Sequence, residues 1–231
     1  MTVRGFVDCG ASHVVHFVPA DPTVRARRDR AYRDLLNLGD LNVADGKAVV
    51  WALHARGHRT PRISGSRAME LLAADGLGRG TRHFLYGGAH EVLGALCTRL
   101  RERHPGIQIV GFETPPFAAV DELGLDAVAA RVRSAGADLL WVGLGTPKQD
   151  LAAERLRALG CAPVVLCVGA AFDFVSGAKR RAPRWMQRSG LEWFHRLASE
   201  PVRLWRRYLI GNPRFVAGVF RDLAAARRGR G

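Results

Sequence analysis

The chain has 231 residues, 48% hydrophobic and 24% charged, a globular composition long enough to bury a full core and unlike that of a disordered segment. Its charge of +14 is uneven, because 14 of the 35 Lys and Arg lie from Lys179 onward against only Glu192, Glu200 and Asp222, so this end alone carries +11. The longest apolar run, Cys161 to Phe172, is too short to span a bilayer, and the N-terminal residues lack a signal-peptide pattern.

Cys9, Cys97, Cys161 and Cys167 form no CxxC pair, which argues against a disulfide framework or structural zinc site and fits a reducing cytoplasm. A basic end on such a chain points to a polyanion: nucleic acid, anionic lipid or a phosphorylated substrate.

In chain order, apolar residues from Pro22 to Leu38 recur at helical spacing, with Asp21 or Thr23 as the cap. Leu41 to Val43 reads as a short strand, Asp45-Gly46 as a turn, and Lys47 to Arg56 as a helix that Gly57 ends. Ser66 is the expected cap of a helix from Ala68 to Ala74, and Gly76 to Gly80 a flexible joint. A regular alternation follows. Arg82 to Gly88 is a strand running into a glycine turn, Ala89 to Arg103 a helix, Ile107 to Phe112 a strand and Asp121 to Ser134 a helix. Ala137 to Gly145 is again strand and glycine turn, Gln149 to Leu159 a helix, and the strand from Ala162 opens at Gly169 into a loop holding Asp173.

This alternation predicts an α/β fold: a Rossmann-like parallel sheet with helices on both faces. Right-handed crossovers put every strand's C-terminal end on one edge, where ligands of such sheets bind. The domain is expected to span residues 1–178, followed by a basic, aromatic-rich helical appendage over 179–231.

Four candidate positions end strands: Asp45-Gly46, Gly87-Gly88, Gly143 with Gly145, and Gly169 with Asp173. The two glycine turns lead into helix N-termini, whose free N–H groups and positive dipole suit a diphosphate. Neither is a GxGxxG or P-loop pattern, so NAD and ATP chemistry gain no support. Asp45 is a candidate general base, with helix N-cap as its competing role. Gln149, after Thr146-Pro147-Lys148, can donate and accept toward a sugar or phosphate, or serve as a cap. His13, His16, His54, His58 and His83 show no ligand spacing, so no metal and no cofactor is expected. In the appendage, Arg196, Arg203 and Arg207 share a helical face, Leu197, Leu204, Trp205 and Tyr208 share another, and Pro201 divides the segment into two helices. A basic amphipathic helix with aromatics reads as a membrane-surface element.

DLNVADGKAVVWA, the PRISG after it, FLYGG, GLGTPKQD and the stretch from Gly169 to Asn212 together resemble the WecG/TagA/CpsF glycosyltransferases, over about residues 20–212. The resemblance implies an inverting, metal-independent transfer of N-acetylmannosamine or a related hexose. The donor is a UDP-sugar and the acceptor an undecaprenyl-diphosphate-linked sugar, at the inner face of the cell membrane, in teichoic acid or other surface polysaccharide synthesis. By motif, it makes Asp45 the base, Arg62 and Gln149 pocket residues, and Asp173 a substrate-side carboxylate. Arg196, Arg203 and Arg206 become arginines of an appendage that closes over the site and meets the lipid diphosphate. The expected partners are these two substrates and an anionic membrane surface, not nucleic acid, with a homo-oligomer left open. Where the family carries Thr-x-Asn at the end of its first strand, this chain is expected to offer Asp8-Cys9-Gly10, and Asp150 replaces a Glu after Gln149. The competing reading is a non-catalytic α/β protein that binds nucleic acid through its basic end.

Overall fold

A computed structural model describes residues 2–228. The chain forms six strands: β1 (His13–Val18), β2 (Leu41–Ala44), β3 (Arg82–Gly87), β4 (Gln108–Glu113), β5 (Leu139–Gly143) and β6 (Val164–Cys167). They make one sheet of order β2-β1-β6-β5-β3-β4. The pairs β1–β6, β6–β5, β5–β3 and β3–β4 are parallel. The Asp40 N–H bonds the Val14 carbonyl and the Asp45 N–H the Val18 carbonyl, so β2 advances alongside β1 in the same direction. The α/β, Rossmann-like architecture expected from the alternation is the one observed.

The crossover helices are α5 (Gly65–Gly76), α6 (His90–Arg103), α7 (Leu125–Ser134), α8 (Lys148–Ala158) and α9 (Ala171–Ser176); α1 (Val3–Asp8) precedes the first strand. Alternate strand residues point to opposite faces. Val14, Phe84, Tyr86, Leu140, Val142 and Val165 meet Val128, Val132, Ala152 and Leu156 of α7 and α8 in one core. Val15, Leu85, Trp141 and Leu166 lie on the alternate positions and are equally buried, the sign of a sheet covered on both sides.

The described residues divide into two compact units. The first gathers residues 1–17, 34–42 and 64–180; the second gathers 18–33, 43–63 and 181–231. The second contains α2 (Ala20–Ala26), α4 (Lys47–His54), α10 (Arg184–Ser189), α11 (Glu192–Ser199), α12 (Pro201–Trp205), a π-helical turn over Arg206–Ile210, and α13 (Gly211–Arg228); α3 (Arg30–Leu38) bridges the boundary in sequence. Inside this second unit α13 packs on α2, and Asp222 accepts hydrogen bonds from both Arg27 and Arg56. Gly218 makes room for this, since a Cβ there would lie 2.9 Å from the Arg27 guanidinium.

Several local expectations are corrected. The Pro22–Leu38 helix is two helices, because α2 ends at Ala26 and the Asp29 carboxylate accepts the Tyr32 N–H at 3.0 Å to begin α3. Neither Asp21 nor Thr23 caps α2; Asp21 sits in its first turn after Pro19. Helix α5 is longer than expected, and its cap is Ser64, whose hydroxyl accepts the Arg67 N–H, while Ser66 is buried within the helix. Asp8 ends a helix rather than a strand. The first strand instead finishes Phe17-Val18-Pro19, with neither Thr nor Asn.

Candidate active site

Within the first unit, two strands end in glycines for steric reasons. Gly87 has φ +125°, and a Cβ on it would meet the Gly143 carbonyl oxygen at 2.6 Å. A Cβ on Gly143 would in turn press on the Phe172 ring at 2.6 Å. Gly88 and Gly145 are both in the left-handed region, at φ +73° and +76°. Close β3–β5 approach thus requires Gly87, packing of Phe172 from α9 requires Gly143, and backbone turns require Gly88 and Gly145. The turn after β5 holds a cis Thr146–Pro147 bond and leads directly into α8.

Gln149 is buried at the start of α8. Its amide nitrogen donates to the Cys167 carbonyl at 3.3 Å, while its Oε1 is buried with no hydrogen-bond donor among the described residues. An orphaned acceptor of this kind has a cost that a ligand hydroxyl could relieve. Gly169, at φ +56°, passes 3.4 Å from that oxygen when a Cβ is built on it, so a side chain there would crowd the Gln149 amide. Asp173 lies on α9, not in a loop as expected, and its carboxylate pairs with Lys179 Nζ at 2.9 Å.

Behind Gln149, the side chains of His16, Asp150 and Cys167 converge, with ligand-type atoms within 4.8 Å of one another. Their charges are used internally. The His16 ring faces Asp150 at 3.0 Å through Nδ1 and Glu154 at 3.6 Å through Nε2. Burial opposes protonation of His16, yet Asp150, Cys167 and Glu154 outweigh it and push its pKa up to about 11. The group reads as an imidazolium pinned between two carboxylates, so the Asp that replaces the family's Glu faces inward.

The second unit holds the other predicted residues. Asp45 follows β2, and the N-cap of α4 is Gly46, at φ +101°, with no side-chain cap bond. The capping role that competed for Asp45 is therefore not the one it fills. Burial pushes the Asp45 carboxyl from 3.8 up to about 6, against the pull of Arg62, Arg196 and Arg207, and Glu192 pushes the same way as burial. The Ile63 N–H donates to the Ala44 carbonyl, tying the loop that carries Arg62 to the end of β2. Arg62 forms an ion pair with Glu192, and its Nε is buried with no acceptor among the described residues.

The arginines of the basic end separate. Arg196 and Arg207 act on Asp45, and Arg207 also lies 3.7 Å from Asp21. Arg203 is exposed and pairs with Glu200 at 2.6 Å, and Arg206 lies 5.2 Å over the Trp205 ring. Glu192 and Arg207 were absent from the predicted site residues. Glu192 carried one signal, as one of only three acidic residues in a basic segment.

An acid at the end of a strand, weakened by burial and surrounded by arginines, is suited to take a proton beside a diphosphate. The comparisons identify the family. The model of the WecG/TagA/CpsF glycosyl transferase family matches residues 2–229. A Bacillus subtilis (strain 168) protein, N-acetylglucosaminyldiphosphoundecaprenol N-acetyl-beta-D-mannosaminyltransferase, is 30% identical over 220 residues, covering 95% of this chain and 83% of that one. The chain thus belongs to the WecG/TagA/CpsF family and is a glycosyltransferase.

Proposed function

We propose that this enzyme moves N-acetylmannosamine or a related hexose from a UDP-sugar to an undecaprenyl-diphosphate-linked sugar, with inversion, for a cell-surface polymer or teichoic acid. The observation that carries the reading is the Asp45 carboxyl, uncommitted to a cap, raised to about 6 and surrounded by Arg62, Arg196 and Arg207. A carboxylate with this pKa is a stronger base than an ordinary aspartate and is still about nine-tenths ionised at pH 7. The acceptor hydroxyl oxygen attacks the anomeric carbon, its proton passes to Asp45, and the bond from that carbon to the diphosphate oxygen breaks. Arginine donors carry the charge of the departing UDP. Gln149, Asp173 and the turns at Gly87, Gly88, Gly143 and Gly145 are assigned to substrate binding. Residues 1–178 act as the catalytic domain in this scheme.

Residues 179–231 serve as lid and membrane contact, with Arg196, Arg203 and Arg206 reserved for the lipid diphosphate. No helix among the described residues is long and apolar enough to cross a membrane. Trp185, Phe194, Val202, Trp205 and Leu209 are exposed, interleaved in sequence with arginines. Apolar side chains among basic ones favour adsorption to an anionic leaflet, each basic residue adding about 1 kcal/mol. In this reading the enzyme sits peripherally on the inner face of the cell membrane. Membership in an enzyme family displaces the non-catalytic nucleic-acid reading.

The test is a panel of UDP-sugars incubated with short-chain lipid-diphosphate acceptors, reading product masses. One UDP-hexosamine giving a β-linked disaccharide lipid is the expected outcome; no transfer from any UDP-sugar would overturn the donor assignment.

A further inference from the structure

At the opposite end of β1 from Phe17, a second set of titratable groups is aligned within the first unit. Cys9, just past α1, is exposed, and its Sγ lies 2.8 Å from His13 Nε2. His13 Nδ1 lies 2.8 Å from Asp40 Oδ1, and Asp40 Oδ2 accepts the Val14 N–H at 2.9 Å, which fixes the carboxylate. The His13 ring is buried and stacks on Phe6, with centroids 4.2 Å apart. Both ring nitrogens are thus engaged in opposite senses. Asp40 has only lone pairs to offer, so Nδ1 carries a proton, and Nε2 is left to take one from the thiol. The other three cysteines, Cys97, Cys161 and Cys167, are buried.

We infer that Cys9, His13 and Asp40 form a relay that makes Cys9 the reactive thiol of this protein, a modification site for disulfide exchange with small disulfides. The thiol proton moves to His13 Nε2, and the imidazolium is held by the Asp40 carboxylate. The Cys9 thiolate attacks one sulfur of the incoming disulfide. A bond forms between the two sulfurs, the original S–S bond breaks, and the other sulfur leaves as a thiolate that can take the proton from His13. The product is a mixed disulfide on an exposed turn, and a second thiol reverses it.

The surrounding charges agree. The Ala11 backbone hydrogen bond and then His13 lower the Cys9 pKa. Burial opposes protonation of His13, but the bonds to Asp40 and Cys9 outweigh it and raise its pKa. The carboxyl of Asp40 is lowered: burial would raise it, but His13 and Val14, with Arg157 at longer range, prevail. The neighbouring Asp8 is offset by Arg79, 3.6 Å away. The geometry differs from a metal site, since the sulfur and the carboxylate lie on opposite sides of the ring and do not converge.

The experiment measures the rate of reaction of the full chain with an aromatic disulfide and with oxidised glutathione between pH 5 and 9, mapping the adduct by mass. An ordinary thiol of pKa about 8.5 is under 1% thiolate at pH 6. Folded protein is expected to react at Cys9 about tenfold or more faster at pH 6 than the same chain unfolded in urea, allowing for the weaker nucleophilicity of a low-pKa thiolate. Cys9→Ser should remove this fast phase, and Asp40→Asn should move its midpoint to higher pH. A midpoint equal to that of the unfolded chain, or a fast phase that survives in Cys9→Ser, overturns the assignment. The folded-to-unfolded comparison needs no relay variant to fold. Sugar transfer, measured in parallel, is expected to be unchanged in Cys9→Ser.

Discussion

Asp45→Asn should stabilise the protein while sharply slowing transfer. The rise of the carboxyl from 3.8 to about 6 means that the folded chain holds this proton more tightly than the unfolded chain does. At about 1.4 kcal/mol per pH unit, ionising Asp45 at pH 7 costs the folded state about 3 kcal/mol, or about 1–3 allowing for the side chain's partial exposure. The sign follows from linkage. Between about pH 4 and 6 the native state binds more protons than the unfolded state, so this contribution is favourable below pH 4 and is lost as pH rises through 6.

Asparagine keeps the shape and carries no charge, so it escapes that loss. Urea unfolding at pH 7 should show the variant more stable by about 1–3 kcal/mol, and the gap should close at pH 4, where wild-type Asp45 is already neutral. Turnover should fall about 10²–10⁴-fold, the range for removal of a general base. Equal stability at pH 7, or a gap that persists unchanged at pH 4, would refute the reasoning. A variant that is more stable and still active would leave the strain real but the base elsewhere.

The arginine and glutamate around Asp45 should move its titration in opposite directions. In a pH profile of kcat/KM, Arg62→Ala is expected to raise the acid limb above about 6 and Glu192→Gln to lower it; a shift of the same sign in both would contradict their placement. Replacing Trp205 and Leu209 together by Ser should reduce flotation with anionic liposomes without unfolding the chain, because both are exposed; unchanged flotation would count against the membrane contact. The glycine turns should differ in tolerance. Gly145→Ala, with open space around it, should cost about 1 kcal/mol for its positive φ, while Gly87→Ala should cost several times more because the Gly143 backbone is only 2.6 Å from the added carbon. Comparable thermal shifts for the two would dispose of the steric account.

Strands β3 to β6 were legible because each is an apolar run closed by glycine or a polar turn, and a parallel sheet buried on both faces leaves that mark. β1 was not, since His13 and His16 break its run. Both are buried polar residues whose Nδ1 faces Asp40 or Asp150, partners distant in sequence, while His16 Nε2 has no hydrogen-bond partner among the described residues. The split between α2 and α3 was hidden because apolar spacing continued across it while Asp29 restarted the helix through a side-chain bond. At the site, Asp45 and Arg62 could be marked from their motifs, but Glu192, 130 residues from Arg62 and paired with it, could not be read from spacing. Asp173 was expected in a loop and lies on a helix, since Ala170-Ala171 begin one immediately after the glycine.

The second unit is assembled from residues 18–33, 43–63 and 181–231, with the greater part of the first unit inserted between its second and third pieces. During synthesis its first two segments emerge early and wait without the partners that bury them. Asp222, which holds Arg27 and Arg56, is translated 195 and 166 residues after them. The nascent chain can therefore complete its sheet before it completes the surroundings of Asp45. The environment that raises the Asp45 carboxyl is thus completed only after Glu192, Arg196 and Arg207 have been translated.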